Sequence, residues 1–207
     1  MPPSSSPAPR RRLVVASANP GKLSEFRSLL AEAPFDLTSL GELGLASPEE
    51  TGATFLENAG LKARHAAAAS GFAAIADDSG LEVDALGGAP GVYSARFAGI
   101  EADAAANNAK LIAALCALDS ERYPQPWRAR YRCVLVFVRH AEDPAPLTAE
   151  GVWEGAIVAA PRGSGGFGYD PHFLLPAMGV TAAQLGAADK NRLSHRGAAL
   201  RALRARL

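Results

Sequence analysis

The apolar run at residues 72–76, Phe-Ala-Ala-Ile-Ala, has the length and composition of a short buried strand. It passes directly into Asp77, Asp78, Ser79 and Gly80. A strand that ends on two adjacent carboxylates presents hard oxygen donors, which suit a cation such as Mg²⁺. The same four residue types also favour turns, so alone they leave both readings open. The rest of the chain decides between them.

Composition narrows the field. A chain of 207 residues is long enough to bury a full core, as one domain or one domain with a lobe. Its 21 basic and 21 acidic residues cancel, which argues against a partner with the charge of a nucleic-acid polymer. A small anionic ligand needs only a local cluster of lysines and arginines. Cys116 and Cys133 are the only cysteines, without the spacing of a disulfide framework or a zinc site, and both are expected in the core. No stretch approaches the roughly 20 apolar residues of a membrane span. Residues 1–12 carry Pro, Ser and three arginines without an apolar signal core. They read as a disordered tail ahead of one folded domain, 13–207, in a cytoplasmic protein.

Residues 13–16, Leu-Val-Val-Ala, form a second buried strand, followed by Ser17, Ala18, Asn19, Pro20, Gly21 and Lys22. Asn19 is a good N-cap and Pro20 suits the first helical position, so a helix begins there. A strand feeding a helix N-terminus exposes unpaired N–H groups and the positive end of the dipole, which attract phosphate. Lys22 in that first turn is electrostatically disfavoured unless an anion lies beside it. The spacing is not that of a Walker motif.

Further on, residues 35–40 predict a strand, and 47–52 a polar loop containing Glu49 and Glu50. Thr54 and Glu57 predict a capping box for a helix ending before Gly71, with Asn58 and Lys62 on one face. His65 falls off that stripe and reads as a surface or packing residue. Residues 81–83 predict a separate short strand, 87–96 a glycine-rich loop ending in Arg96, and 101–118 a helix. Strands follow over 131–138 and 147–160. The segment 163–171 is too glycine-rich for packed core, leaving the Phe167 ring free to stack on a flat ligand such as a base. Ser194 caps a last helix, which would put His195 and Arg196 in its exposed first turn.

Six motifs occur in order: Ser-Ala-Asn-Pro-Gly-Lys, Glu-Glu-Thr-Gly-Ala-Thr-Phe-Leu-Glu-Asn-Ala, Ala-Asp-Asp-Ser-Gly-Leu, Gly-Gly-Ala-Pro-Gly-Val-Tyr-Ser-Ala-Arg, Gly-Gly-Phe-Gly-Tyr-Asp-Pro and Ser-His-Arg-Gly. Each is weak alone; the ordered set closely resembles the inosine/xanthosine triphosphate pyrophosphatases over essentially 13–207. The resemblance implies an α/β fold, a long mixed twisted sheet flanked by helices, with two lobes around a central substrate cleft. It implies Mg²⁺-dependent hydrolysis of ITP, dITP or XTP to the monophosphate and pyrophosphate, and commonly a homodimer. It places phosphate binding on Ser17, Ala18, Asn19, Gly21, Lys22 and Lys62. It makes Asp78 the general base and a metal ligand, Ser79 a substrate contact and Glu49 the second metal-linked acid, with Glu50 adjacent. Phe167, Gly168, Tyr169 and Asp170 then form the base-binding segment, and Lys190, His195 and Arg196 close over the purine. Donors at His195, Arg196 or the backbone would pair with a 6-oxo group and reject a 6-amino group.

Two rival readings carry different expectations. A nucleotide pyrophosphatase of the related septum-inhibitor-like family would turn over dTTP or UTP faster than ITP. A regulatory module that senses triphosphates would bind them with Mg²⁺ and release no pyrophosphate.

Overall fold

The computed structural model describes residues 10–207. Residues 1–9 of the expected tail lie outside the described residues. The rest of that tail is structured: strand β1 (Arg11–Val15) begins two residues earlier than the apolar run suggests. The Arg10 guanidinium donates to the Ala31 and Ala33 carbonyls at 2.8 and 2.7 Å, and the Arg11 and Arg12 side chains lie over the Phe35 and Phe72 rings. Backbone pairing with the next strand needs no apolar side chain, so the strand runs out into the arginines.

Helix α1 (Pro20–Leu29) follows, then β2 (Phe35–Ser39), helix α2 (Phe55–Ser70) and β3 (Ala73–Val83). Helix α3 (Ala104–Cys116) leads to the long hairpin β4 (Trp127–Val138) and β5 (Leu147–Ile157). The short strands β6 (Phe173–Leu175) and β7 (Val180–Thr181) precede α4 (Ala187–Leu193) and α5 (His195–Arg204). The strands form one seven-stranded sheet in the order β2-β1-β3-β4-β5-β6-β7. The β2, β1 and β3 strands are parallel, and every pairing from β3 onward is antiparallel. This is the mixed α/β sheet expected from the motif order.

Helix caps follow the sequence closely. Thr54 and Glu57 make the reciprocal capping box of α2, and Gly71 closes that helix in the left-handed conformation. The α2 alanines Ala59, Ala63, Ala66 and Ala67 then lie on Val14, Ala16, Ala74 and Ala76 of the sheet. Side chains this small let the helix backbone approach closely, so polar residues further along its face meet β3 directly. The opposite face is covered by α1 with its C-cap Leu30 and by α5, so that Phe26, Leu30, Leu200 and Leu203 pack on Leu13, Val15, Ile75 and Leu135.

Three local expectations need correction. Asp77 and Asp78 do not end a strand: β3 continues through them to Val83, absorbing the separate strand expected at 81–83. What ends there is β1, whose pairing with β3 stops at Val15 opposite Ile75. The carboxylates therefore stand on a continuous strand at the point where its parallel neighbour leaves. Cys133 is buried as expected, whereas Cys116 is exposed on the last turn of α3. The residues Lys190 and Asn191 belong to a helix, α4, that the sequence reading left without an element.

Candidate active site

The chain leaving β1 turns at Ser17 and Asn19. Ser17 Oγ accepts from the Asn19 N–H at 3.2 Å, and Asn19 Oδ1 accepts from the Lys22 N–H at 3.1 Å, capping α1. Such a cap is worth about 1 kcal/mol. Gly21 in the first turn faces the ring of Phe167, and a Cβ there would fall 2.5 Å from Phe167 Cδ1. That close approach explains the glycine. It also corrects the expectation of a free Phe167 ring, which rests on the start of α1 with Lys190 Nζ 4.3 Å from its centroid.

Successive residues of a strand project to opposite faces, and the Asp pair is divided in this way. Asp77, fully buried, takes Lys22 at 3.0 Å and Arg196 at 2.8 Å, and accepts from Ser79 Oγ. Asp78 takes Lys62 at 3.0 Å and the Asn58 amide at 3.2 Å, both from α2. Asn58 is itself fixed by the Gly52 N–H. The anion that Lys22 requires is thus in the fold itself. Burial pushes both carboxyls up, but the outcomes diverge. The charges of Lys22, Arg196 and Lys62 outweigh burial at Asp77 and hold it far below the carboxylate range. At Asp78, burial with the nearby charge of Glu50 prevails over Lys62 and Lys22, and its pKa is raised. Adjacent carboxylates separated in this way suit different tasks, a fixed anion and a proton acceptor.

Of the two loop acids, Glu50 rather than Glu49 lines the site. Glu49 is exposed, while Glu50 accepts from Lys62 at 2.7 Å and from Arg96 at 3.2 Å. Burial acts to raise the Glu50 pKa, and the Lys62 charge overrides it and lowers it. Lys62 Nζ joins an oxygen of Glu50 and one of Asp78, so the two carboxylates converge on one point. Glu50 and Asp78 both line the cavity, and one or two carboxylates with substrate oxygens are the donor type that usually holds Mg²⁺. Among the described residues no cluster of three or more His, Cys, Asp or Glu side chains gathers for a metal, at this site or at any other.

The other end is built on Asp170. Its carboxylate accepts from the Phe167 N–H at 2.8 Å, from Lys190 Nζ and from Tyr131 Oη at 3.2 Å. Tyr169 Oη donates to the Ser94 carbonyl, and Gly168 O accepts from Asn108. Ser194 caps α5 as expected, but His195 and Arg196 are buried rather than exposed. Arg196 lies in the core with Asp77, Ser79 and Glu25 as partners, so its guanidinium serves the carboxylate cluster, and the residue also lines the cavity described below. His195 stacks on Tyr131 with centroids 4.8 Å apart, and its Nδ1 is buried without a partner. Burial and the charges of Arg196 and Lys190 hold its pKa well below the usual histidine value.

Sequence reading missed Asp77 as a separate centre, and missed Glu25, Tyr131 and Arg96. Glu25 was findable: it lies three residues after Lys22 on one helix face, and it takes both Lys190 and Arg196. Tyr131 carried no local signal, since an aromatic in a strand reads as core.

Asn19, Lys22, Glu50, Asp78 and Ser79 line one cavity, of about 140 Å³, together with Phe167, Asp170, Lys190 and His195. A wider groove of about 860 Å³ lies elsewhere, bordered by Leu56, Tyr93 and Thr148. Its charged residues Glu82, Arg132 and Glu150 pair with one another across the sheet, so the clustered chemistry belongs to the smaller cavity.

Known proteins resemble this chain over nearly its whole length. A protein of Burkholderia pseudomallei named dITP/XTP pyrophosphatase is 58% identical over 203 residues, covering 97% of this chain and 95% of its own length. One of the same name from Xanthomonas campestris pv. campestris is 56% identical over 197 residues, covering 95% and 97%. The solved structure of a HAM1 protein from Coxiella burnetii superposes with a TM-score of 0.83 at 46% identity, covering 93% of this chain and 96% of that one. The Ham1 family model matches residues 13–206, from β1 to the end of the chain's last helix and beyond, and the chain belongs to the Ham1 family.

Proposed function

We propose that this protein hydrolyses ITP, dITP and XTP to the monophosphate and pyrophosphate, removing them from the nucleotide pool before they enter DNA or RNA. The observation that carries the reading is that one cavity joins carboxylates and Lys22 to an aromatic cluster with His195 and Lys190. A triphosphate needs the first and a purine the second. The name shared by the close relatives supports it.

The residues divide the work as follows. The N-terminal turn of α1, Lys22 and Lys62 receive the phosphates. Asp78 and Glu50 are the pair that would hold Mg²⁺, whose charge when bound offsets that of the triphosphate. Asp78, with its raised pKa, takes the proton of the water that attacks the α-phosphorus. Asp77 stays ionised and keeps Lys22 and Arg196 in place. Phe167 stacks on the base, and Tyr169 and Asp170 shape its pocket. His195 is neutral at physiological pH and has an unpartnered Nδ1, so it is the side chain suited to sense the purine 6-oxo group. The protein acts in the cytoplasm, as a homodimer.

The Asp78→Asn variant tests the assignment, because it keeps shape and removes the base. Pyrophosphate release from ITP should fall by about 10²–10⁴-fold with ITP binding nearly unchanged. Turnover close to that of the unaltered enzyme would take the base role away from Asp78.

A further inference from the structure

The glycine-rich stretch 87–96 enters none of the roles above, yet it is anchored at both Ser94 and Gly91. Gly91–Arg96 forms a 3-10 turn lying on β3. Ser94 Oγ accepts from the Leu81 N–H at 2.9 Å and donates to the Gly91 carbonyl at 2.6 Å. Gly80 permits the contact: a Cβ there would lie 2.3 Å from that carbonyl oxygen. Tyr169 of the aromatic end clamps the same turn through the Ser94 carbonyl. Arg96 is therefore presented from a fixed base.

Its guanidinium has one polar partner among the described residues, Glu50 Oε2 at 3.2 Å, and stacks 5.3 Å from the centroid of Tyr93. The side chain is 28% exposed, and a guanidinium carries five N–H donors. Glu50 already gives its other oxygen to Lys62. Two cations thus share one carboxylate, and that carboxylate, Glu50, lines the cavity. An anion with more oxygens, arriving there, can engage both.

We propose that Arg96 binds the β- and γ-phosphates of the substrate and the pyrophosphate that leaves, exchanging Glu50 for phosphate oxygens. This rests on the pyrophosphatase reading above. In that reaction the water oxygen bonds to the α-phosphorus and its proton passes to Asp78. The bond from the α-phosphorus to the α,β-bridging oxygen breaks, and its electron pair stays with pyrophosphate. Negative charge grows on the group beside Arg96, where a planar fork of donors stabilises it better than a point charge.

The test measures calorimetric binding of inorganic pyrophosphate and of inosine monophosphate, each with Mg²⁺, to the unaltered protein, Arg96→Ala and Arg96→Lys. Loss of a charge-assisted donor should weaken pyrophosphate by about 10- to 100-fold in Arg96→Ala and less in Arg96→Lys. Monophosphate affinity should stay within about twofold. Unchanged pyrophosphate affinity, or equal weakening of both ligands, overturns the proposal; so does an unaltered protein that binds no pyrophosphate. Arg96→Lys keeps the test valid if the alanine variant does not fold. Binding is read without turnover, so an unaltered protein that binds pyrophosphate through Arg96 yet hydrolyses no nucleotide would sink the functional reading and leave Arg96 only as a pyrophosphate-binding residue.

Discussion

A single strand alternation sets the chemistry. Asp77 and Asp78 are neighbours in sequence, but the pleat sends one to Lys22 and Arg196 and the other to Lys62 and Asn58. One becomes a permanently charged hub and the other a carboxylate with a raised pKa. Phe167 gives the sharpest residue-level prediction for the opposite end. Its ring lies on Gly21 with Lys190 over it and lines the shared cavity. Phe167→Ala should raise the KM for ITP by about tenfold or more, from a stacking loss of about 1–3 kcal/mol, with a smaller change in kcat. An unchanged KM would mean that the ring does not meet the base.

Among the elements, α5 carries the heaviest electrostatic load, because its first turn is buried. His195 is neutral in the folded protein, kept so by burial and by Arg196 and Lys190, whereas in the unfolded chain it titrates near 6.5. The unfolded state therefore takes up the extra proton as pH falls. The stabilisation is complete above 6.5 and is lost below it, by about 1.4 kcal/mol at one unit lower. Urea unfolding between pH 7 and pH 5.5 should show this fall, and His195→Asn should remove that part of the slope. An unaltered slope in the variant would place the pH dependence on other groups. The helix caps were legible because capping is a local matter: Asn19, Thr54 with Glu57, Gly71 and Ser194 all act where their residue types predict. The burial of His195 and Arg196 was not, because a helix start with two basic residues looks solvated until its carboxylate partners, Glu25 and Asp77, arrive from α1 and β3.

At the scale of the whole molecule, the mixed sheet and the meeting of distant motifs in one cavity follow from the ordered set of motifs more than from any one of them. What remained hidden depended on long-range pairing. Asp-Asp-Ser-Gly reads as a strand end because those residues favour turns, yet ten registered pairs with β4 hold β3 straight through them. Glu49 and Glu50 are indistinguishable in a polar loop until Lys62 and Arg96 select the second. No helix among the described residues is long and apolar enough to cross a membrane. The central claim concerns what the shared cavity admits, and the measurement is pyrophosphate release with Mg²⁺ from ITP, dITP, XTP, GTP, ATP and dTTP. Fast release confined to the inosine and xanthosine nucleotides is the predicted result. Preference for dTTP, or no release from any nucleotide by folded protein, would contradict it.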